Sequence, residues 1–596
     1  MKKIIVVLIV GGCSLMCAQR ACAQEAIGDH PVRTDDRGML LPWYDVDPGV
    51  SYDFAIRQAW SFWQSIQQCN GVPYYMVSRT WDPGSIDSGI GGGQFEMTLS
   101  SWNLLYNYLG DSAILANMRF IADTYLANSL SDPSDAWPDI PYPCNLTQHA
   151  MYDGDLIAGP GVTQPDKAGG FAAELVSLYK KTAEQKYLNA AIAIANTLAA
   201  HVQPGDNENS PMPFRVNAHS GDVVDAYTSD WTGTLRLFDQ LMRLGVGKLS
   251  SYQQARTLIV NWLLTYPIQN DLWGPYFEDV GGWSNTEINA ITIARYLIDH
   301  PSIDSAWRTD AKNILDWTMS QFADSSWSSY GVTAILEQTA YLMPGQSHTA
   351  RYASAALDYQ HQTGDTTGLQ SSIAQLNWAT YWMDSSGMNS YPYDKVWLTD
   401  GYGDYIRHYL RAMASYPELA PYNSDHILST SSVLHDVHYD QDAIVYQSFD
   451  SASQEVLRMT AKPLEIRSDG TPLIETSPSD PVTSGWSWTP LSFGGVVHVR
   501  HLDGHNITIA KDAAVVRAEA NAFNIEVYPN PAMGTTTITS SAPARVELFD
   551  ELGRVVYAGA LQHTLYLNTS RFATGLYILR LSTGSRVSAK HLMIVR

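Results

Sequence analysis

Apolar residues recur three and four positions apart through most of the chain between about Tyr52 and Pro421. Leu115, Met118, Ala122 and Tyr125 form one such stripe, and Leu188, Ala191, Ile192, Ala195 and Ala199 another. Tyr252, Ala255, Ile259, Trp262 and Tyr266 repeat the spacing, as do Leu369, Ile373 and Leu376. That period predicts amphipathic helices with one buried face. Each follows a helix richer in small residues, such as Ala168-Gly169-Gly170-Phe171-Ala172-Ala173, a composition suited to burial on both sides. Short breaks divide the pairs at Leu109-Gly110-Asp111, Lys181-Thr182-Ala183-Glu184, Gly245-Val246-Gly247, His300-Pro301 and Thr363-Gly364-Asp365. The first helices start near residues 96, 168, 230, 285, 347 and 401, roughly 54–72 residues apart, which reads as an array of helical hairpins. The last first helix has no partner after it. Ala55, Ala59, Phe62, Trp63 and Ile66 supply one from the other end of the array, so twelve helices close on themselves.

The pattern changes beyond about Asp425. Ala443-Ile444-Val445-Tyr446 and Glu455-Val456-Leu457-Arg458-Met459 read as strands. Val496 to Leu502 turns at Asp503-Gly504 into Asn506-Ile507-Thr508-Ile509, a hairpin signal. A second β region starts at Phe523, poor in Trp and rich in Thr, Val and Ile. At the other end, Lys2 and Lys3 precede an apolar run, Ile4 to Val10, too short to span a bilayer. Ala21-Cys22-Ala23 then offers a cleavage site, so residues 1–23 read as a signal peptide. The expected organisation is multidomain: residues 24–421 an all-α ring holding the catalytic site, 425–515 a small accessory β-sandwich-like domain, and 523–596 a C-terminal β-sandwich.

Composition narrows the function. The chain of 596 residues carries 37 Lys+Arg against 60 Asp+Glu, a net charge of −23 that reaches about −26 once Lys2, Lys3 and Arg20 are removed. Such an acidic surface argues against nucleic-acid binding, and no later segment predicts a membrane span. Cleavage also removes Cys13, Cys17 and Cys22, leaving Cys69 and Cys144, enough for one disulfide in an oxidising compartment. Eighteen Trp and 34 Tyr are many for this charge level, and exposed aromatics serve as flat binding platforms.

Two resemblances follow from these motifs. Tyr528-Pro529-Asn530-Pro531, the run Leu548-Phe549-Asp550-Glu551-Leu552-Gly553-Arg554-Val555-Val556, then Thr574-Gly575-Leu576-Tyr577-Ile578-Leu579 and the closing Lys590 resemble, in order, the C-terminal sorting domain of type IX secretion cargo. That resemblance implies the type IX secretion machinery as a partner, with release outside the cell or attachment to its surface. The twelve-helix ring resembles the (α/α)6 toroid shared by six-hairpin glycoside hydrolases, several polysaccharide lyases and some epimerases. It implies a carbohydrate substrate.

Long loops precede the first helix of each pair, at 70–95, 129–167, 203–229, 267–284, 323–346 and 384–400, and function concentrates on such a face. Glycosidic hydrolysis needs two carboxyl groups, one protonated and one ionised. Asp166, Asp230, Glu287, Asp400 and Asp404 are the candidates. Ser229-Asp230-Trp231-Thr232-Gly233, Asp400-Gly401-Tyr402-Gly403-Asp404 and Gln164-Pro165-Asp166-Lys167-Ala168-Gly169-Gly170 are the best settings, although an Asp at a helix start is ordinarily a cap. Trp81, Trp231, Trp283 and Tyr402 are the expected sugar platforms, with Glu96 among the polar groups of the same face. Elimination or epimerisation would draw instead on Lys167, Arg215, His219 and a tyrosine. A non-catalytic glycan binder would need the aromatics alone. No cofactor is expected beyond a calcium near Asp153 and Asp155, and no catalytic metal motif appears.

Overall fold

The computed structural model describes residues 25–69, 71–79, 88–147, 151–393, 400–477, 483–512, 525–540, 543–550, 553–583 and 586–596, with the side chains of 400–402 and 586–588 excepted. The twelve long helices are α1 Pro48–Ser65, α2 Gly92–Leu109, α3 Ser112–Ser129, α4 Pro165–Thr182, α5 Gln185–His201, α6 Thr232–Leu244, α7 Leu249–Thr265, α8 Glu287–Asp299, α9 Trp307–Phe322, α10 Gln346–Thr363, α11 Leu369–Thr380 and α12 Asp400–Ser415. The even-numbered helices form the inner ring. α2 packs on α4, α4 on α6, α6 on α8, α8 on α10, α10 on α12, and α12 back on α2. Each inner helix also packs on one outer helix, α3, α5, α7, α9 and α11 in turn, and α1 covers α12. The predicted (α/α)6 toroid is therefore present, closed by its N-terminal helix. Tyr52 on α1 donates to Asn377 on α11 at 2.7 Å, which ties that seam.

Local signals set the helix ends. Asp47 caps α1 by accepting from the Val50 N–H, with Pro48 in the first turn, and Asp111 caps α3 through Ala113. The helices before the short breaks end on Gly110, Gly245 and Gly364 at φ 67°, 70° and 74°, a left-handed conformation that glycine adopts without strain. Inner helices are buried nearly all round, as in α4, where Asp166 through Leu178 are all buried. The small residues in them permit close approach: a Cβ on Gly169 would meet Thr234 Oγ1 at 2.0 Å, and one on Gly233 would meet Gly170 Cα at 2.6 Å. The α4–α6 contact is thus set by glycines just inside the first turns, one of which carries Asp166 while the other follows Asp230.

The accessory domain has strands β1 His426–Thr430, β2 Leu434–Tyr439, β3 Ala443–Ser448, β4 Ser453–Met459, β5 Glu465–Ser468, β6 Thr471–Pro472, β7 Gly485–Pro490, β8 Gly495–His501 and β9 Asn506–Ala510. They form two antiparallel sheets, β1-β4-β8-β7 and β2-β3-β9-β5-β6. The domain sits against the C-terminal ends of α2 and α4, where His426 stacks on Tyr108 at 3.8 Å and Lys181 Nζ donates to the Leu434 carbonyl at 2.6 Å. It lies on the face opposite the long loops. Trp486 is core filling, donating to the Leu473 carbonyl at 3.2 Å, and Trp488 packs partly buried beside that core.

The tail is a separate sandwich with its own core around Val546, Leu548, Leu579, Leu581 and Leu592. Its sheets pair β10 Ile525–Tyr528 with β11 Thr535–Ser540 and β14 Thr564–Asn568, and β13 Val555–Leu561 with β12 Ala544–Phe549, β15 Gly575–Thr583 and β16 Arg586–Ile594. Cys69 and Cys144 do not pair as the sequence suggested; both thiols are free. Cys144 is fixed in a loop bridged to Ile90 and Gly154, whereas Cys69 lies on a two-residue strand after α1. Among the described residues no helix is long and apolar enough to cross a membrane.

Candidate active site

The inner ring encloses a chamber of about 310 Å³. Its upper end, where the inner helices start, is lined by Glu96, Asp166, Lys167, Asp230 and Tyr276. It continues down the ring axis past Arg236, Arg295, Arg351, Arg407 and His408 to Asp299, His300 and Arg411.

Two aspartates, Asp166 in the first turn of α4 and Asp230 two residues before α6, meet on one lysine at the upper end. Lys167 Nζ donates to Asp166 Oδ2 at 3.1 Å and to Asp230 Oδ2 at 3.3 Å. The two oxygens are therefore no farther apart than those lengths laid end to end. The Lys167 ammonium also lies over the Tyr276 ring, 3.1 Å from its centroid. Asp166 is enclosed, with its side chain 0% exposed, while that of Asp230 is 16% exposed. Burial pushes the Asp166 carboxyl up to about 7, and Asp230 adds to the effect against the opposing pull of Lys167. Burial also raises Glu96 and Glu278, the latter accepting from the Gly93 N–H at 2.9 Å. Lys167 itself stays firmly charged, because Asp166, Asp230 and Glu278 outweigh its burial. The arrangement holds one protonatable carboxyl beside an accessible one, the asymmetry that acid–base chemistry uses.

The other sequence candidates fall differently. Glu287 is completely buried and bonds His348 and Arg351. Asp404, 2% exposed, bonds Arg351, Arg407 and His408. Despite its burial, Arg351, His408 and Arg407 hold its carboxyl well below the usual range. Neither lines the chamber; each positions a cation that does. Trp231 is a correction: its ring is fully buried and its Nε1 donates to the Thr228 carbonyl at 2.9 Å, so no sugar can stack on it. Arg215 is likewise buried between Asp155 and Asp225 at 2.9 and 2.8 Å, and His219 points into solvent on Asp135. Those placements remove both from the chamber. Asp155 is occupied by Arg215 and Gln164, and Asp153 accepts from the Leu146 N–H. Among the described residues no group of three or more His, Cys, Asp or Glu side chains gathers as a metal site. Trp81 lies outside the described residues, as do the side chains of Asp400 and Tyr402.

Trp283 is 52% exposed and lies 5.2 Å from the Tyr227 ring, on a separate groove of about 460 Å³ that Asn207, Glu208 and Asp225 also line. Sequence reading missed the lower chamber, Tyr276, His348 and Arg351. The available signal was charge inside helices otherwise read as buried on both sides: Arg236, Arg295, Arg351, Arg407 and Arg411.

His348 joins Glu287, Glu337 and Tyr391. Burial alone would lower its pKa, but the hydrogen bonds to Glu287 and Glu337 prevail and raise it to about 9. A histidine raised above its unfolded value of about 6.5 contributes stability in full below that pH and loses it as pH rises through about 9. Melting temperatures of His348→Gln should therefore lose the part of the wild-type decline that falls between pH 6.5 and 9.

Comparison with known proteins adds the following. Residues 526–595 match the secretion system C-terminal sorting domain. No curated protein matches the chain. Among solved structures, D-mannose isomerase is similar at 10% identity and a TM-score of 0.47, over 62% of this chain and 97% of that one. The cellobiose 2-epimerase of Bacillus thermoamylovorans shares 12% identity at a TM-score of 0.45, over 60% and 99%. The family 76 α-mannanase of Bacteroides thetaiotaomicron shares 14% at 0.41, over 63% and 99%. The tail, by its match and by the three ordered motifs it carries, is a secretion sorting domain, and the protein is one that is secreted or attached to the cell surface.

Proposed function

We propose that this is a secreted carbohydrate-active enzyme, a glycoside hydrolase that cleaves a poly- or oligosaccharide in the toroid chamber. Asp166 is the general acid and Asp230 the base or nucleophile. The observation that supports this reading is the meeting of the two carboxylates on Lys167, one enclosed and lifted to about 7, the other accessible. Lys167 fixes both carboxylates, and Tyr276 fixes Lys167 from its other side.

A second reading, proton transfer beside a carbonyl or carboxylate as in an epimerase or lyase, draws support from the same lysine: a buried ammonium beside a tyrosine can neutralise a developing anion. The deciding assay incubates the protein without residues 1–23 with neutral and uronic polysaccharides. It follows reducing ends, unsaturated-uronate absorbance and, by NMR, the configuration of sugar carbons. Reducing ends alone are expected. Absorbance rising with them, or epimerisation without cleavage, would replace the hydrolase with the second reading.

Trp283 is the outlying sugar platform of this proposal. A lost aromatic stacking contact is worth about 0.5–1.5 kcal/mol. Trp283→Ala should therefore raise KM for long substrates about 2- to 12-fold with kcat unchanged, and have no effect on the shortest substrate cleaved.

A further inference from the structure

The lower chamber carries a charge arrangement that the carboxylate pair does not use. Four guanidiniums come together there from three inner helices. Three have their own carboxylate: Arg236 bonds Glu174, Arg295 meets Asp358 at 3.3 Å, and Arg407 meets Asp404 at 2.6 Å. The fourth, Arg411 on α12, lines the chamber and has no hydrogen-bond or ion-pair partner for its side chain among the described residues. Its charged neighbours are Arg295, Arg407 and Arg236, which repel it, with Asp299 as the opposing charge, and the residue itself is partly exposed. Asp299 ends α8 and is exposed to solvent. A guanidinium keeps its proton in such a setting, so an anion at this end of the chamber would offset the charge that the three pairs leave uncompensated.

Arg411 stands eleven residues into α12, about 16 Å along the axis from the helix start. Asp166 is the second residue of α4, at the same end of the ring as that start. The exposed Arg243 and the partly exposed His300 line the lower end of the same chamber, so an ion can arrive without passing Asp166 and Asp230.

We propose that the lower chamber is an oxyanion site, in which Arg411, flanked by Arg295, Arg407 and Arg236, binds a carboxylate or sulfate-like group. The planar fork of arginine suits two oxygens of such a group. The group has two sources, a free ion or an acidic substituent on a sugar.

The test is calorimetric titration of the full chain with sulfate, phosphate and glucuronate at low ionic strength in a low-chloride buffer, which needs no turnover. One anion per chain is expected, weakening as salt is added. Arg411→Gln should lose at least ten-fold in affinity, and Arg411→Lys, which keeps the charge without the fork, should fall between the two. Unchanged far-ultraviolet dichroism and melting in Arg411→Lys guard against misfolding. Glucuronate displacing sulfate would identify the occupant as an acidic sugar, and inorganic anions binding without such competition would identify a free ion. Wild type that takes up none of the three, or Arg411→Gln that binds them as wild type does, overturns the proposal.

Discussion

Asp166→Asn and Asp230→Asn are each expected to lower kcat by about 10²–10⁴-fold with little change in KM, the range for loss of a positioned acid or base. The two variants should differ in their response to pH and to substrate. Wild-type activity should fall as pH rises through about 7, because Asp166 then loses the proton it must donate. That limb should vanish in Asp166→Asn. A substrate with an activated leaving group, which needs no protonation, should restore Asp166→Asn far more than Asp230→Asn. Stability should move the other way. A carboxyl raised above its unfolded value near 3.9 binds more protons folded than unfolded, so it erodes stability as pH climbs from about 4 to about 7. Asp166→Asn should consequently melt above wild type at pH 8 and lose that advantage at pH 4. A binder without catalysis would show none of the kinetic effects and would keep its affinity in both variants.

The largest stability effect should come from Arg351, which contributes no carboxylate and was not singled out by the sequence. It is 3% exposed and joins Glu287 at the start of α8 to Asp404 on α12, from its own place on α10. Replacing it by methionine leaves two carboxylates buried without their shared cation. Breaking a buried ion pair typically costs about 3–5 kcal/mol, and because His348 still faces Glu287 and Arg407 still faces Asp404 the loss here should lie toward the lower end of that range. Urea unfolding followed by tryptophan fluorescence should show that loss. A double change, Arg351→Met with Glu287→Gln, should recover part of it, because one stranded charge is then gone. A loss under about 1 kcal/mol in the single variant would mean that water reaches this network.

The twelve helices were legible because each stripe and each break is a local signal. Leu115 to Tyr125 announces α3 without reference to any other residue, and the unmatched stripe from Ala55 to Ile66 points to ring closure by counting alone. The three ordered tail motifs were equally local. What lies in the chamber depends on rotation about each helix axis, which a sequence does not state for helices buried all round. Asp230 and Trp231 are adjacent, yet one faces the chamber and the other the packed wall. Arg215 and His219 had suitable chemistry on an unsettled loop; the strand pairing of 215–217 turned the first inward onto Asp155 and Asp225 and left the second in solvent. The arginines of the lower chamber are hidden for the same reason, because on a helix buried all round nothing in the sequence tells a chamber-facing position from one in the packed wall.

The seam between α1 and α12 also governs the order in which the chain can become a finished object. Residues near 52 must wait for residues near 377 and 405 before their flank is covered, because Tyr52 touches Asn377 and packs on Tyr409. Until that late segment arrives, hairpins already formed stand as an open arc with two uncovered edges. Contacts so distant in sequence are slow to form and pay their loop closure before any reward. A chain stopped short of residue 400 should therefore be readily proteolysed, because the ring it has begun cannot close.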